Sequence, residues 1–120
     1  MHELSIAKRL INAAMSRLPE DFDGRVIEVN ITVGRMLGYE KEWIIRYFDK
    51  FVKDTPLEGA ELSVENQPVS FRCLDCDMLI FPNYRDSDLF CTKCNGRNLK
   101  LEGGRDCRVN YITTEMKEND

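Results

Sequence analysis

Two cysteine pairs, Cys73-Leu-Asp-Cys76 and Cys91-Thr-Lys-Cys94, are the residues of this chain whose type and spacing point most directly to chemistry. Two residues between thiols let a tight turn aim both sulfurs at one point. Two such turns, 14 residues apart, can close a tetrahedron of thiolates around one Zn(II) with Zn–S of about 2.3 Å. A redox Cys-x-x-Cys needs one pair and normally opens a helix, so the second pair favours a metal. Four thiolates fill the coordination sphere and leave no position for water, which makes the expected ion structural Zn(II) rather than a catalytic Lewis acid. The turn after each second cysteine calls for φ > 0, easiest for Gly and next for Asn or Asp; Asp77 and Asn95 stand there. A fifth cysteine, Cys107, alternates with Val109 and Tyr111 and reads as buried filler, since no histidine follows to activate it.

The one histidine is His2. The α-amine of Met1, the His2 amide nitrogen and the imidazole form two fused chelate rings with three nitrogens in a plane. A fourth donor can come from Glu3, another side chain or water. Ni(II) and Cu(II) favour such planar nitrogen sets more than zinc or magnesium do. The residues alone leave a second reading open, in which His2 and Glu3 only start a helix, with the Glu3 carboxylate near its positive dipole end. Glu40, Glu42 and Asp49 read as solvated helix positions without an acid–base role.

These residues need elements to position them. Leu4, Ala7, Ile11, Ala14 and Leu18 recur at spacings of three and four, an amphipathic helix ended by Pro19 and Asp21-Phe-Asp-Gly24. Ile27, Val29, Ile31 and Val33 alternate with polar residues, predicting a strand over 25–33 with one covered face. A second helix is expected from about 40 to 53, with Trp43, Ile44, Tyr47, Phe48 and Phe51 in the core, then a strand over 61–67. After the cysteines come a strand-like Leu99 and Leu101, a turn at Gly103-Gly104, and a last strand over 106–116 with a fraying tail. Phe81, Pro82, Tyr84 and Phe90 are expected to make a minimal cluster between the cysteine pairs, so that zinc supplies much of that lobe's folding free energy. The expected fold class is α+β: a small mixed three-stranded sheet with two helices, interrupted by a zinc-ribbon domain. Residues 1–68 plus 98–120 would form one domain and 69–97 the zinc-binding domain.

Composition narrows the function. The 120 residues carry a formal net charge of −4, and within 69–97 Arg72, Arg85, Lys93 and Arg97 balance Asp75, Asp77, Asp86 and Asp88. Neither feature suits a phosphate backbone, so nucleic acid is not an expected partner. The longest purely apolar run, Met78 to Phe81, is far below the roughly 20 residues of a membrane helix. No basic segment leads into an apolar stretch at the start, so the expected compartment is the cytoplasm. A zinc-ribbon module that binds protein or nucleic acid is the alternative function; a zinc hydrolase lacks an open ligand position.

Met1-His-Glu3 opening an amphipathic helix, a strand closing in Val33-Gly34, Pro56-Leu-Glu-Gly-Ala-Glu-Leu62, the paired cysteines, Gly104-Arg-Asp-Cys-Arg-Val109 and Glu115-Met116 together resemble the HypA/HybF family of hydrogenase nickel incorporation proteins. The resemblance covers essentially the whole chain. It implies a two-domain metallochaperone, not an enzyme, that binds Ni(II) transiently through His2, Met1 and Glu3 and holds structural Zn(II) on Cys73, Cys76, Cys91 and Cys94. It further implies a role in maturing nickel–iron hydrogenase and in some organisms urease, with a HypB-type GTPase and the hydrogenase large subunit as partners, no nucleic acid or membrane partner, and a monomer or homodimer. The chain departs from the family in carrying Asp77 and Asn95 where Gly is frequent, Thr92 for Pro, Arg35-Met36 for an acidic-Leu pair, and Asp106-Cys107 for Glu-Leu.

Overall fold

Ile6, Ala7, Leu10, Ile11 and Ala14 are buried along the first helix, α1 (His2–Met15), the three-and-four spacing of one helical face. The structure is a computed structural model and describes residues 2–83 and 88–116, apart from the His2 side chain. Met1, Tyr84 and the tail after Met116, all of which carried expectations, lie outside the described residues. Carbonyls at the end of α1 are satisfied by tightened bonds from the Arg17 and Leu18 amides and by the Ser16 hydroxyl, and Pro19 follows.

The first strand, β1 (Gly24–Gly34), lies between β2 (Glu61–Gln67) and β6 (Cys107–Met116). Arg25 pairs with Glu115 near one end of β1 while the Gly34 amide donates to the Asp106 carbonyl at the other, so β1 and β6 run antiparallel. Val26 bonds the Pro56 carbonyl just before β2, and Asn30 meets Ser63 further on, so β1 and β2 run in the same direction. The sheet is therefore mixed, as the sequence predicts.

One expectation for β1 is corrected. Ile27 is 42% exposed, whereas Val26, Val29, Ile31 and Val33 are buried. The cause is the strand's central place: Asn30 and Thr32 are also buried, so both faces are covered along its second half, while the first residues, Gly24, Arg25 and Ile27, project beyond that cover. The buried polar groups are partnered. Asn30 donates to Ser63 Oγ at 2.9 Å, and Asn110 Nδ2 reaches Asn30 Oδ1 at 2.9 Å and Thr32 Oγ1 at 2.7 Å, stitching all three strands.

The crossover helix, α2 (Lys41–Phe51), buries Ile44 and Phe48, and Val52 continues that ridge at a spacing of four. Here the sequence reading is corrected again. Trp43 is 44% and Phe51 38% exposed, since both flank the ridge rather than lie on it. The helix ends at Val52, and Asp54, at φ 66, turns the chain away with its amide bonded to the Glu58 carboxylate.

The chain divides into two units, one of Met1–Thr32, Tyr39–Glu65 and Cys107–Asp120, the other of Val33–Gly38 and Asn66–Asp106. The second is wider than the stretch 69–97 around the cysteines because β3 (Ser70–Cys73) pairs antiparallel with both β4 (Leu79–Ile80) and β5 (Leu99–Gly103). The 3₁₀ turn Arg35–Leu37 is drawn in by its Met36 amide, which donates to Gly104 O at 2.9 Å. Gly34 and Gly104 meet backbone to backbone there, so closely that a Cβ on Gly34 would overlap the Gly104 carbonyl. The lobe's apolar centre is Cys73, Ile80 and Cys91 with Phe71, Cys76 and Leu99 against it. Phe81 and Phe90, expected to form the cluster, are exposed instead.

Candidate metal centre

Cys73 ends β3 and Cys76 follows in the adjoining turn, while Cys91 and Cys94 occupy a second turn before β5. The two turns are copies of one device. In the first, the Asp77 amide donates to Cys73 O at 2.8 Å and the Cys73 amide to Met78 O at 2.9 Å. In the second, Asn95 donates to Cys91 O and Cys91 to Gly96 O, both at 2.8 Å. Asp77 (φ 65) and Asn95 (φ 61) adopt the left-handed conformation that their place after the second cysteine predicts.

Both turns point their sulfurs inward. All four Sγ atoms lie within 4.8 Å of one another, with Cys73–Cys94 at 3.6 Å and Cys76–Cys91 at 3.5 Å. A regular tetrahedron with Zn–S of about 2.3 Å has sulfur–sulfur edges of about 3.8 Å, so the spacing and soft donor set suit zinc. Cys73 and Cys91 are fully buried, Cys76 is partly covered and Cys94 is exposed. Among the described residues no other group of His, Cys, Asp and Glu comes together in this way.

Sequence reasoning missed a brace beside the first turn. Arg72 grips Glu102 with two nitrogens, at 3.2 and 2.8 Å, and donates at 2.9 Å to the Asp77 carbonyl. Its guanidinium thereby ties β5 to the cysteine turn, and the Glu102 hydrogen bond raises its already high pKa. Only the pairing of Arg72 with Lys100 in the β3–β5 register, which places Glu102 within diagonal reach, could have exposed this contact.

The thiols are electrostatically unequal. The Cys94 amide, helped by that of Lys93, outweighs burial and draws Cys91 down to about 7. At Cys76 the Met78 amide pulls down, but burial and the neighbouring thiols prevail and push it up to about 12. Cys94 also rises, against the Gly96 amide, because of the Cys73 thiol and burial. The first thiolate is thus welcome and further ones repel it until a cation arrives. Zinc takes the deprotonated forms and releases protons, so its affinity falls as pH falls.

The other singled-out residues are placed separately. Cys107 stands on β6 beside Arg9, half-buried, and burial raises its thiol pKa against the opposing Arg9 charge, as suits filler rather than a nucleophile. Glu3 lies in the first turn of α1. His2 is the first residue of that helix, and its side chain and Met1 lie outside the described residues. No helix among the described residues is long and apolar enough to cross a membrane.

Comparison with known proteins gives a consistent picture. A family model described as hydrogenase/urease nickel incorporation, metallochaperone, hypA matches residues 1–114. The chain is similar to the hydrogenase maturation factor HypA of Methanocaldococcus jannaschii, 29% identical over 124 residues, covering 98% of this chain and 100% of that relative. It is 33% identical over 125 residues to the factor of the same name from Desulfatibacillum aliphaticivorans, covering 98% and 93%. The solution structure of the Ni metallochaperone HypA from Helicobacter pylori shares the fold, with TM-score 0.66 and 21% identity over 96% of this chain and 98% of that one.

Proposed function

The chain belongs to the HypA family of hydrogenase and urease nickel-incorporation metallochaperones, and from this we propose that its Ni(II) cargo is carried by its first residues, with His2 as principal ligand and Met1 and Glu3 in support. The protein is a nickel metallochaperone of hydrogenase maturation, with a four-cysteine cluster suited to structural zinc. The observation that supports the nickel assignment is a separation of donors. The four cysteine sulfurs converge on one point in the second unit, whereas the one histidine of the sequence is the first residue of α1 in the first.

The chemistry is transfer rather than catalysis. A planar set of three nitrogens selects Ni(II), and an incomplete coordination sphere leaves a position through which an acceptor's ligand enters before the chain's own ligands depart. Nickel handling falls to the part of the chain that begins with α1, and zinc to the part that carries the cysteine turns. A HypB-type GTPase and the hydrogenase large subunit are the proposed docking partners, with urease as a further acceptor, and the cytoplasm is the proposed compartment.

Nickel titration of the untagged, zinc-loaded chain by calorimetry tests the assignment. His2→Ala, and separately one residue added before Met1, should each weaken nickel binding by more than about a hundredfold, because each removes a donor or breaks the fused chelate. Zinc content should stay at one ion per chain. Affinity should also drop as pH falls into the acid range, since only neutral imidazole binds metal. Unchanged nickel affinity in both variants refutes the site.

A further inference from the structure

Trp43, Arg46, Tyr47 and Lys50 recur at spacings of three and four along α2, and all four are wholly or partly open to solvent. Their contacts form a pattern. Arg46 lies over the Trp43 ring at 5.1 Å, Lys50 over Phe51 at 5.8 Å, and Lys8 of α1 over the same Phe51 ring at 5.2 Å. Trp43 and Tyr47 pack against each other with ring centroids 6.0 Å apart. Among the described residues none of the ion pairs involves Lys8, Arg46 or Lys50. Three cations without carboxylate partners therefore ring an exposed aromatic face, on a chain whose net charge is −4.

We propose that this face of α1 and α2 is a docking surface for an acidic amphipathic segment of a partner protein. Its Asp or Glu side chains would pair with Lys8, Arg46 and Lys50, and its aliphatic side chains would cover Trp43, Tyr47 and Phe51. Charge selects this occupant. A second copy of the chain would set cation against cation across a twofold axis. Single-stranded nucleic acid stacks bases on open ring faces, but here cations already cover the Trp43 and Phe51 faces, and the chain as a whole repels phosphate. Exposed aromatics with Arg nearby are the composition of interface anchors, and helix-in-groove partners present apolar residues at the same three-and-four spacing. The proposal concerns protein recognition and stands independently of where nickel binds.

Trp43 is the only tryptophan in the chain, so its emission reports this face directly. The probe is a labelled helical peptide of Leu and Glu with Leu at i, i+3, i+4 and i+7, read by anisotropy and by Trp43 emission on the zinc-loaded chain. Binding should shift Trp43 emission to shorter wavelength and weaken with salt. Arg46→Glu with Lys50→Glu should weaken it at least about tenfold. Lys8→Glu, on the other helix, should weaken it too, and serves if the double variant fails to fold. Lys100→Glu with Arg105→Glu, two exposed cations elsewhere, should leave binding unchanged. Peptide binding without a Trp43 response, or equal weakening in the Lys100/Arg105 control, overturns the proposal. So does tighter binding of a poly-thymidine strand than of the peptide, or a Trp43 shift caused by raising the concentration of the chain alone.

Discussion

Serine in place of Cys91 is expected to leave the purified chain without zinc and its second unit unfolded. Structural zinc sites contribute about 10–16 kcal/mol of apparent binding free energy at neutral pH, comparable to or larger than the whole stability of a small domain. The lobe has little else to hold it. Its apolar centre is Cys73, Ile80 and Cys91, with only Phe71, Cys76 and Leu99 packed against them, and two of the buried residues belong to the four-cysteine cluster itself. Serine offers a harder, more weakly acidic donor and interrupts a set that nearly matches a tetrahedral edge. Metal analysis should fall from one zinc per chain to none, and amide exchange in β3, β4 and β5 should lose its protection. Exchange in α1 and α2 should persist, since that unit buries its own core. Retained protection in β3 without metal would show that the lobe's packing suffices.

Phe48→Ala is expected to destabilise the first unit by about 3–5 kcal/mol, the cost of the lost transfer free energy and the cavity left behind. Phe48 is fully buried, as are Ile44 one turn before it and Val52 one turn after, so its ring sits in a close-packed core. Trp43→Ala removes a larger ring from the same helix, yet should cost under about 1 kcal/mol, because 44% of that residue is already open to water. Urea unfolding followed by circular dichroism separates the two, and similar costs would mean that the buried ridge of α2 is wrongly drawn.

The contrast between those aromatics marks where the sequence stopped being legible. A period of 3.6 located α2, but Trp43, Tyr47, Phe48 and Phe51 are all apolar enough for a core. Only the packed arrangement decides that 44, 48 and 52 form the ridge. Strand β2 was readable over its full extent, Glu61–Gln67, because clear turn residues flank a short alternation. The cysteine turns were readable to the level of a backbone angle, since Asp77 and Asn95 occupy the positions where left-handed geometry is required. The second sheet was not. Its pairing of Phe71 with both Ile80 and Leu101 joins residues up to 30 apart, and no local pattern specifies such a register. The same blindness concealed Arg72 with Glu102 and the true centre of the zinc lobe. The proposed nickel donors, Met1, His2 and Glu3, are consecutive in the chain, so naming them as candidates required no knowledge of the packing.

The two copies of the cysteine turn differ in one respect that governs how the ion can leave. Cys73 and Cys91, which begin their turns, are fully buried and Cys76 is partly covered, while Cys94 is the most exposed of the four. With zinc bound there, an incoming chelator or oxidant would find the Cys94 sulfur the most accessible, with the two buried cysteines still to be released after it. Retention of the ion becomes a matter of rate as much as of affinity: rebinding of the loosened Cys94 competes with every approach from outside.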